Sequence, residues 1–369
     1  MKHKYRNFII ISFLFILTIS AIPSVLGKTR RSYLLDFILN TEVEGEGFSN
    51  VISGEGGEEL VSLEATAYAL NIIDNLDISL NDYTSIDTKL EDKIEDMFDA
   101  DEVNIYDLYY LLKSLNLIEY TIDSSLSNRI YKFLNETMQP TGGFSFSNST
   151  HLSSLTSTYY VIQLYSLIQQ PIVNISIHKD WVLSCNNTDG GYGGNQTLSS
   201  TYIDTSFAVF VLADERFGDI NDLVDIDKTL AYLKSFYVNN SADLVNYGGY
   251  LPDELAENTL LSSTYYCVKA ISLIDADALN SNEIVRWVLS HQNFEDGGFA
   301  EIIAGDHLII SSVISCYYAF ESLETLTALN YLYNDVWMVE FDYLILGVVL
   351  GSIGLIIAIA VFLWRRRRI

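Results

Sequence analysis

The chain of 369 residues carries 48 acidic side chains against 21 Lys and Arg, a net charge of −27 at pH 7. So acidic a surface repels nucleic acid and anionic lipid, which excludes a nucleic-acid partner. Its three cysteines, Cys185, Cys267 and Cys316, are too few and odd in number for a disulfide scaffold, while an apolar share of 49% suffices for one large core.

Residues 1–27 open with Lys2, Lys4 and Arg6, continue as an apolar run from Phe8 to Ile22 and end on Val25 and Gly27. Basic start, apolar centre and small-residue cleavage site predict a secretory signal peptide. The body, 28–335, then starts with "YLLDFILN" at 33–40, the glycine-bearing "EGEGF" at 44–48 and "SLEATAYALNII" at 62–73. Apolar residues at three- and four-residue steps mark the first and last of these as helices. The next unit keeps the order without glycines, as "KLEDKIEDMF" at 89–98 and "IYDLYYLLKSL" at 105–115. In the third, "NRIYKFLN" leads through "PTGGF" at 140–144 to "SLTSTYYVIQLYSLI". In the fourth, "HKDWVLSC" leads through "TDGGYGG" at 188–194 to "TYIDTSFAVFVLA". The fifth runs "TLAYLKSF", "NYGGY" at 246–250, "LSSTYYCVKAISLI"; the sixth runs "EIVRWVLS", "EDGGF" at 295–299, "SVISCYYAFESL".

Near the other end, Tyr343–Trp364 is long and apolar enough for a transmembrane helix, and Arg365–Arg368 follow it directly. Basic residues stay on the cytoplasmic side, so the tail, 365–369, is predicted inside and the body outside the cell membrane. Gly347 and Gly351 give that helix a small-residue face suited to homodimer formation. Asn-x-Ser/Thr sequons at Asn135, Asn148, Asn174, Asn186, Asn195 and Asn239 agree with an extracytoplasmic glycoprotein.

The glycine pairs Gly142–Gly143, Gly190–Gly191, Gly248–Gly249 and Gly297–Gly298 end 48, 58 and 49 residues apart. Such self-similarity predicts stacked helix pairs that share a core. Gly enters the left-handed backbone region without a Cβ penalty, so the pairs are structural turns that end one helix and reverse the chain. The aromatic after each pair is expected to fold back on the helix just left. The second helices, being more apolar and aromatic, form an inner ring, with the more charged first helices outside. Adjacent tyrosines such as Tyr159 and Tyr160 lie about 100° apart on a helix. They are therefore expected not to face one cavity together.

Helix, "DGGF/Y", then a helix opening "STYY", repeated six times, resembles the α/α toroid of protein prenyltransferase β subunits and squalene-type terpenoid cyclases, over residues 32 to about 330. The implied fold is all-α, an (α/α)6 toroid around a central cavity. "QNFEDGGF" at 292–299 is similar to the QW repeat of triterpene cyclases, with Phe299 in place of the tryptophan.

The resemblance implies a zinc site in a prenyltransferase, built from an Asp-x-Cys and a His on two inner helices. Ser262 and Thr264 stand where the Asp and Cys belong, and Ile314 where the His belongs. None of these is a good ligand, so neither zinc nor another metal is expected. His151 and His307 precede inner helices of different units. A diphosphate needs several cations, and the inner helices offer only Lys113 and Lys269. The "DxDD" acid of triterpene cyclases does not occur; "DADE" at 99–102 and "DIDK" at 225–228 only approximate it. At the level of the family's zinc cysteine the six units carry Thr66, Leu108, Thr158, Thr205, Thr264 and Cys316, which either ring the cavity or, through Thr hydroxyls bonded back to the preceding helical turn, serve close helix packing. Glu64, Asp107 and Asp204, one or two positions earlier, are the candidate polar groups of that cavity or else helix caps.

Three functions fit this pattern. The first is a non-catalytic, membrane-anchored binding domain that takes an apolar small molecule or a protein segment. The second is a divergent prenyltransferase or terpene cyclase, and the third an assembly module that dimerises through its anchor.

Overall fold

The computed structural model describes residues 28–52, 60–217, 219–304, 307–308 and 310–334. The expected signal peptide, the segment 343–364 with Gly347 and Gly351, and the basic tail lie outside the described residues. Among the described residues no helix is long and apolar enough to cross a membrane.

Twelve α-helices among the described residues alternate between an outer and an inner position. The outer ones are α1 (Arg30–Asn40), α3 (Asp87–Asp99), α5 (Ser124–Thr137), α7 (Ile175–Ser184), α9 (Ile226–Ser235) and α11 (Ser281–Ser290). The inner ones are α2 (Leu63–Asn75), α4 (Ile105–Leu117), α6 (Leu155–Leu167), α8 (Tyr202–Leu212), α10 (Leu261–Asp275) and α12 (Val313–Thr325). Burial follows the sequence pattern. Outer α3 buries only Leu90 and Ile94, whereas inner α8 buries every residue from Thr205 to Leu212. Five inner helices begin with a hydrogen-bonding cap, Ser62, Asn104, Ser154, Thr201 and Ser312, whose side chains accept from an orphan backbone N–H.

Each inner helix packs on the next, and α12 packs on α2, so the ring closes. Backbone hydrogen bonds stitch its rim: the first N–H of an inner helix donates to a carbonyl in the turn of the following unit. Ile105 donates to Phe146, Leu155 to Gly194, Leu261 to Glu301 and, across the seam between last and first units, Val313 to Asn50. The seam is reinforced by the Arg30 guanidinium, which donates to the Leu289 carbonyl at 2.9 Å, and by the Gln292 amide, which donates to the Arg30 carbonyl at 2.9 Å.

After an outer helix the chain turns through a two-stranded hairpin in three of the units with glycines. These pairs are β1 (Glu42–Val43) with β2 (Gly47–Phe48), β3 (Phe144–Ser145) with β4 (Ser153–Ser154), and β5 (Tyr192–Gly193) with β6 (Ser200–Thr201). A fourth pair, β7 (Ile303–Ala304) with β8 (His307–Leu308), lies in the sixth unit beyond its turn. The glycines serve these turns in two ways. The first of each pair is left-handed, as at Gly297 with φ +95°. The second is a matter of space except at Gly143. Gly298 has no left-handed φ, yet a Cβ there would fall 2.7 Å from Ser311 Cβ and 2.8 Å from the Phe37 ring. The reading of both glycines as left-handed is corrected accordingly: close approach of the unit's own returning chain, at Ser200, Thr259 and Ser311, and of the neighbouring outer helix, not backbone sign, excludes a side chain at Gly191, Gly249 and Gly298. The aromatic after the pair is fully buried in every such unit. Phe144 stacks on His178 of the next outer helix at 4.3 Å, so the turn docks forward as well as back.

Candidate functional site

At the N-terminal ends of the inner helices the ring opens into a cavity of about 500 Å³. All six inner helices contribute to it. Glu64, Asp107 and Thr156 stand near the mouth with Tyr106, and Tyr110, Tyr160, Phe207, Tyr266 and Tyr318 make walls and floor. Further hollows of comparable size lie on the outer helices, for instance between Leu244, Tyr247 and Trp287.

Glu64 and Asp107 occupy first turns of neighbouring helices but are held differently. Asp107 accepts from the Asn104 amide at 2.7 Å, while its own N–H donates to Asn104 Oδ1, a reciprocal cap. Asp204 likewise accepts from the Thr201 hydroxyl at 2.7 Å, and its carboxyl is raised by burial against that bond. It is not among the residues lining the mouth. Glu64 turns inward instead and accepts from the Tyr110 hydroxyl at 2.9 Å. Tyr110 in turn lies 3.3 Å from the hydroxyls of both Tyr68 and Tyr160. With its one hydrogen given to Glu64, Tyr110 can only accept from a neighbouring hydroxyl, and Tyr68 is a second hydrogen-bonding neighbour of the Glu64 carboxyl. Burial raises the Glu64 carboxyl above its ordinary value, opposed by the hydrogen bonds and by the more distant charge of Lys113. Among the described residues neither Glu64 nor Asp107 has an ion-pair partner.

Below this floor the ring is filled with tyrosine. Tyr68 stacks on Tyr317 at 3.7 Å, Tyr159 on Phe207 at 4.9 Å and Tyr265 on Tyr318 at 5.3 Å. Both members of each adjacent tyrosine pair touch aromatics of neighbouring inner helices, against the expectation that only one would turn in. The ring is narrow and a tyrosine is long, so two tips 100° apart still meet inside it. Two cations sit among them. Lys269 pairs with Glu321 at 3.1 Å, and burial, which lowers its ammonium, is outweighed by Tyr265 and Glu321. Lys113 donates to the Tyr317 hydroxyl at 3.3 Å and lies over the Tyr68 and Tyr317 rings; burial lowers it to about 8, with Glu321 opposing. The sequence marks both lysines and the aromatic supply of the inner helices, but not that both members of each tyrosine pair turn inward.

The threonine register does not face this cavity. Thr66, Thr158, Thr205 and Thr264 are fully buried, and each hydroxyl accepts the N–H of the aromatic that follows the glycine turn: Phe48, Phe144, Tyr192 and Tyr250, at 2.9 to 3.0 Å. Cys316 does the same for Phe299 at 3.2 Å, with its thiol pushed up by burial. These five pin the turn to the inner helix. Leu108 is the exception because its unit has no glycine turn to pin. Thr205→Val should therefore leave the Tyr192 N–H buried and unpaired and lower stability by about 1–3 kcal/mol in urea titration, whereas Thr205→Ser retains an acceptor. An unchanged midpoint for the valine variant would contradict the pinning role.

The residues at the family's zinc positions do not fit the ion. Ser262 donates to Glu301, Thr264 is engaged by Tyr250, and Ile314 has no donor atom. No group of three or more His, Cys, Asp or Glu among the described residues is placed to hold a metal. Of the two histidines noted, His151 is exposed in the loop before α6 and His307 lies in β8. His178 and His291, which the sequence gave no reason to single out, are buried. His178 Nδ1 accepts the Gly143 N–H at 3.1 Å and so holds a turn rather than a ligand.

The sequence pattern of the prenyltransferase alpha-alpha toroid domain matches this chain over residues 86–179, 171–306 and 247–339. No curated relative matches the sequence. Among solved structures, protein geranylgeranyltransferase-I from Candida albicans, complexed with GGPP, is similar with a TM-score of 0.56 and 14% identity over 74% of this chain and 86% of that one. The type II terpene cyclase MstE from Scytonema is similar with a TM-score of 0.53 and 13% identity over 82% of this chain and 97% of that one. At such identities the likeness is one of fold. With twelve helices closed into one ring, and with the family's pattern running through most of it, the chain belongs to the prenyltransferase α/α toroid domain family.

Proposed function

We propose that the toroid is a non-catalytic binding domain that takes an apolar small molecule or a protein segment into its mouth. The observation that carries this reading is the cavity of about 500 Å³ on which all six inner helices converge, with aromatic walls and floor and, among the described residues that line it, two carboxylates and no cation. Its size suits a small organic ligand. A diphosphate entering it would meet Glu64 and Asp107, with Lys113 and Lys269 behind the tyrosine floor. The loops leading into the inner helices also carry exposed apolar side chains: Leu60, Leu152, Leu255 and Ile310 are 75%, 79%, 93% and 75% exposed. We place this domain outside the cell, held by the segment 343–364, with homodimers through Gly347 and Gly351.

A second reading, a divergent isoprenoid enzyme, is favoured by one observation, the half-buried Glu64 carboxyl held by Tyr110 inside an aromatic cavity. A carboxyl so raised can act as a general acid.

Uptake of the neutral fluorophore N-phenyl-1-naphthylamine by the full chain tests the binding reading. Ile203→Trp, which fills the mouth, should weaken uptake at least tenfold with little change in melting temperature. Wild type that takes up no probe, or a variant that binds as well, overturns it. Turnover of geranylgeranyl diphosphate, or its transfer to a cysteine peptide, would replace it with the enzyme reading.

A further inference from the structure

The charge of the mouth narrows what it admits. Two carboxylates stand at its edge without an ion-pair partner among the described residues, and the rings behind them belong to Tyr110, Tyr160, Phe207, Tyr266 and Tyr318. A carboxylate beside water alone needs no explanation. One that is half-buried, hydrogen-bonded by a tyrosine and lines the same cavity as several aromatic rings is a different matter, because carboxylate and ring face each attract positive charge. The ring quadrupole draws an organic cation to its face, and does so more strongly where water is excluded. The interior already shows this chemistry: Lys113 lies over the rings of Tyr68, Tyr109 and Tyr317, at 5.2, 5.9 and 4.8 Å. Lys269 lies over Tyr265 at 5.3 Å. Both ammonium groups are beneath the floor: Lys113 reaches Glu64 only as a distant charge, and Lys269 is paired with Glu321. The net charge of −27 further steers cations toward the protein and anions away.

We propose that the mouth cavity is a site for a small organic cation of the quaternary or tertiary ammonium type, its charged head between Glu64 and the rings of Tyr110, Tyr160 and Tyr266 and its apolar body against Phe207 and Tyr318. The proposal rests on the reading of the mouth as a ligand site and adds the charge of the ligand. Glu64 acts through charge, with the Tyr110 hydroxyl fixing its orientation. Asp107 is committed to Asn104 and contributes at longer range. The aromatic faces distinguish an alkylated ammonium, which is weakly hydrated, from sodium or potassium, which would have to give up bound water for the same place.

Three probes of nearly equal shape separate charge from size: choline, the neutral 3,3-dimethylbutan-1-ol and the anionic 3,3-dimethylbutanoate. Titrated into the full chain by calorimetry or ligand-observed NMR, choline should bind at least tenfold more tightly than the alcohol, and the carboxylate should not bind. Glu64→Gln should remove about tenfold of the choline affinity and leave the alcohol unchanged. Tyr160→Leu should weaken choline more than the alcohol. Should Glu64→Gln fail to fold, Asp107→Asn with the same trio reports the loss of charge. Equal binding of choline and the alcohol overturns the cation proposal and leaves the apolar binding reading standing, while binding of none of the three by wild type overturns both. Tightest binding of the anion overturns the cation proposal as well.

Discussion

Gly297→Ala should be among the most damaging single-methyl additions the toroid can receive. The residue sits in the turn after α11 with φ +95°, and a Cβ built there lands 2.2 Å from the Tyr33 carbonyl oxygen and 2.8 Å from its carbon. Both atoms are backbone of α1, so no rotamer change can make room. The left-handed backbone alone costs about 1–2 kcal/mol. Forcing an extra carbon into a filled site adds about 1–3 kcal/mol. A loss of about 3 kcal/mol or more, and a fall in melting temperature on the order of 6–10 °C, follows. The position matters as much as the clash. This turn joins the last unit to the first, beside the Arg30 and Gln292 contacts of the seam. Gly45→Ala is the internal control. Gly45 is also left-handed, with φ +67°, but nothing lies within 4 Å of the position of its Cβ. That variant should lose only the backbone part, about 1–2 kcal/mol. If the two variants melt together, the seam yields easily and the ring is less tightly closed than its contacts imply.

The order of twelve helices was legible because each pair repeats the same words, and because Leu and Ile at helical spacing leave one strand-free interpretation. Ring closure was not legible. It depends on contacts such as Val313 to Asn50 and Arg30 to Leu289, between residues far apart in the chain and outside any repeat. The site divides in the same way. Glu64 and Asp107 were candidates from their register, and both reach the mouth. The threonines beside them were read as ringing the cavity or as bonding back to the preceding turn; Thr66 and Thr205 do bond back, to the Ser62 and Thr201 carbonyls, and what was not foreseen is the N–H that each threonine accepts from the glycine turn. Counting along a helix gives the height of a side chain, whereas its azimuth depends on where the neighbouring turn lies. One signal would have told: the unit without glycines is the unit without a hydroxyl or thiol, at Leu108, which ties the register to the turn and not to the cavity. The inner-helix tyrosines were legible as an aromatic supply, but the inward turn of both members of each pair was not, for a geometric reason. A rule about the angle between adjacent side chains ignores how narrow the ring is, and here both members of each pair reach across it.

Acidification should cost the fold stability well above the range where most carboxylates titrate, and His291 should account for much of it. The imidazole is 1% exposed; Nδ1 lies 2.9 Å from the Trp287 carbonyl and the ring packs on the Trp287 indole at 4.0 Å. Burial lowers it to about 4 from an ordinary 6.5, with the hydrogen bond to Trp287 opposing the fall. The folded state therefore binds fewer protons than the unfolded chain between these values. Stability from this group is whole above about pH 6.5 and is lost as pH drops toward about 4. At 1.36 kcal/mol per unit, the shift amounts to about 3 kcal/mol. His178, also lowered first by burial, acts in the same direction. Glu64 and Asp204 act in the other, since their raised carboxyls take up protons readily in the folded state and gain stability as the pH falls. Because these contributions overlap, the wild-type curve alone does not assign them. His291→Asn separates them, as its amide can still donate to the Trp287 carbonyl but does not titrate. The variant should be less stable at every pH through the lost ring packing, yet its stability should change by about 3 kcal/mol less between pH 7 and pH 4. Urea midpoints at half-unit steps would show this as two curves that converge on acidification. Parallel curves would mean that His291 stays neutral in the unfolded chain too or is charged in the folded one, and the acid sensitivity would then belong to His178 and to carboxyls other than Glu64 and Asp204.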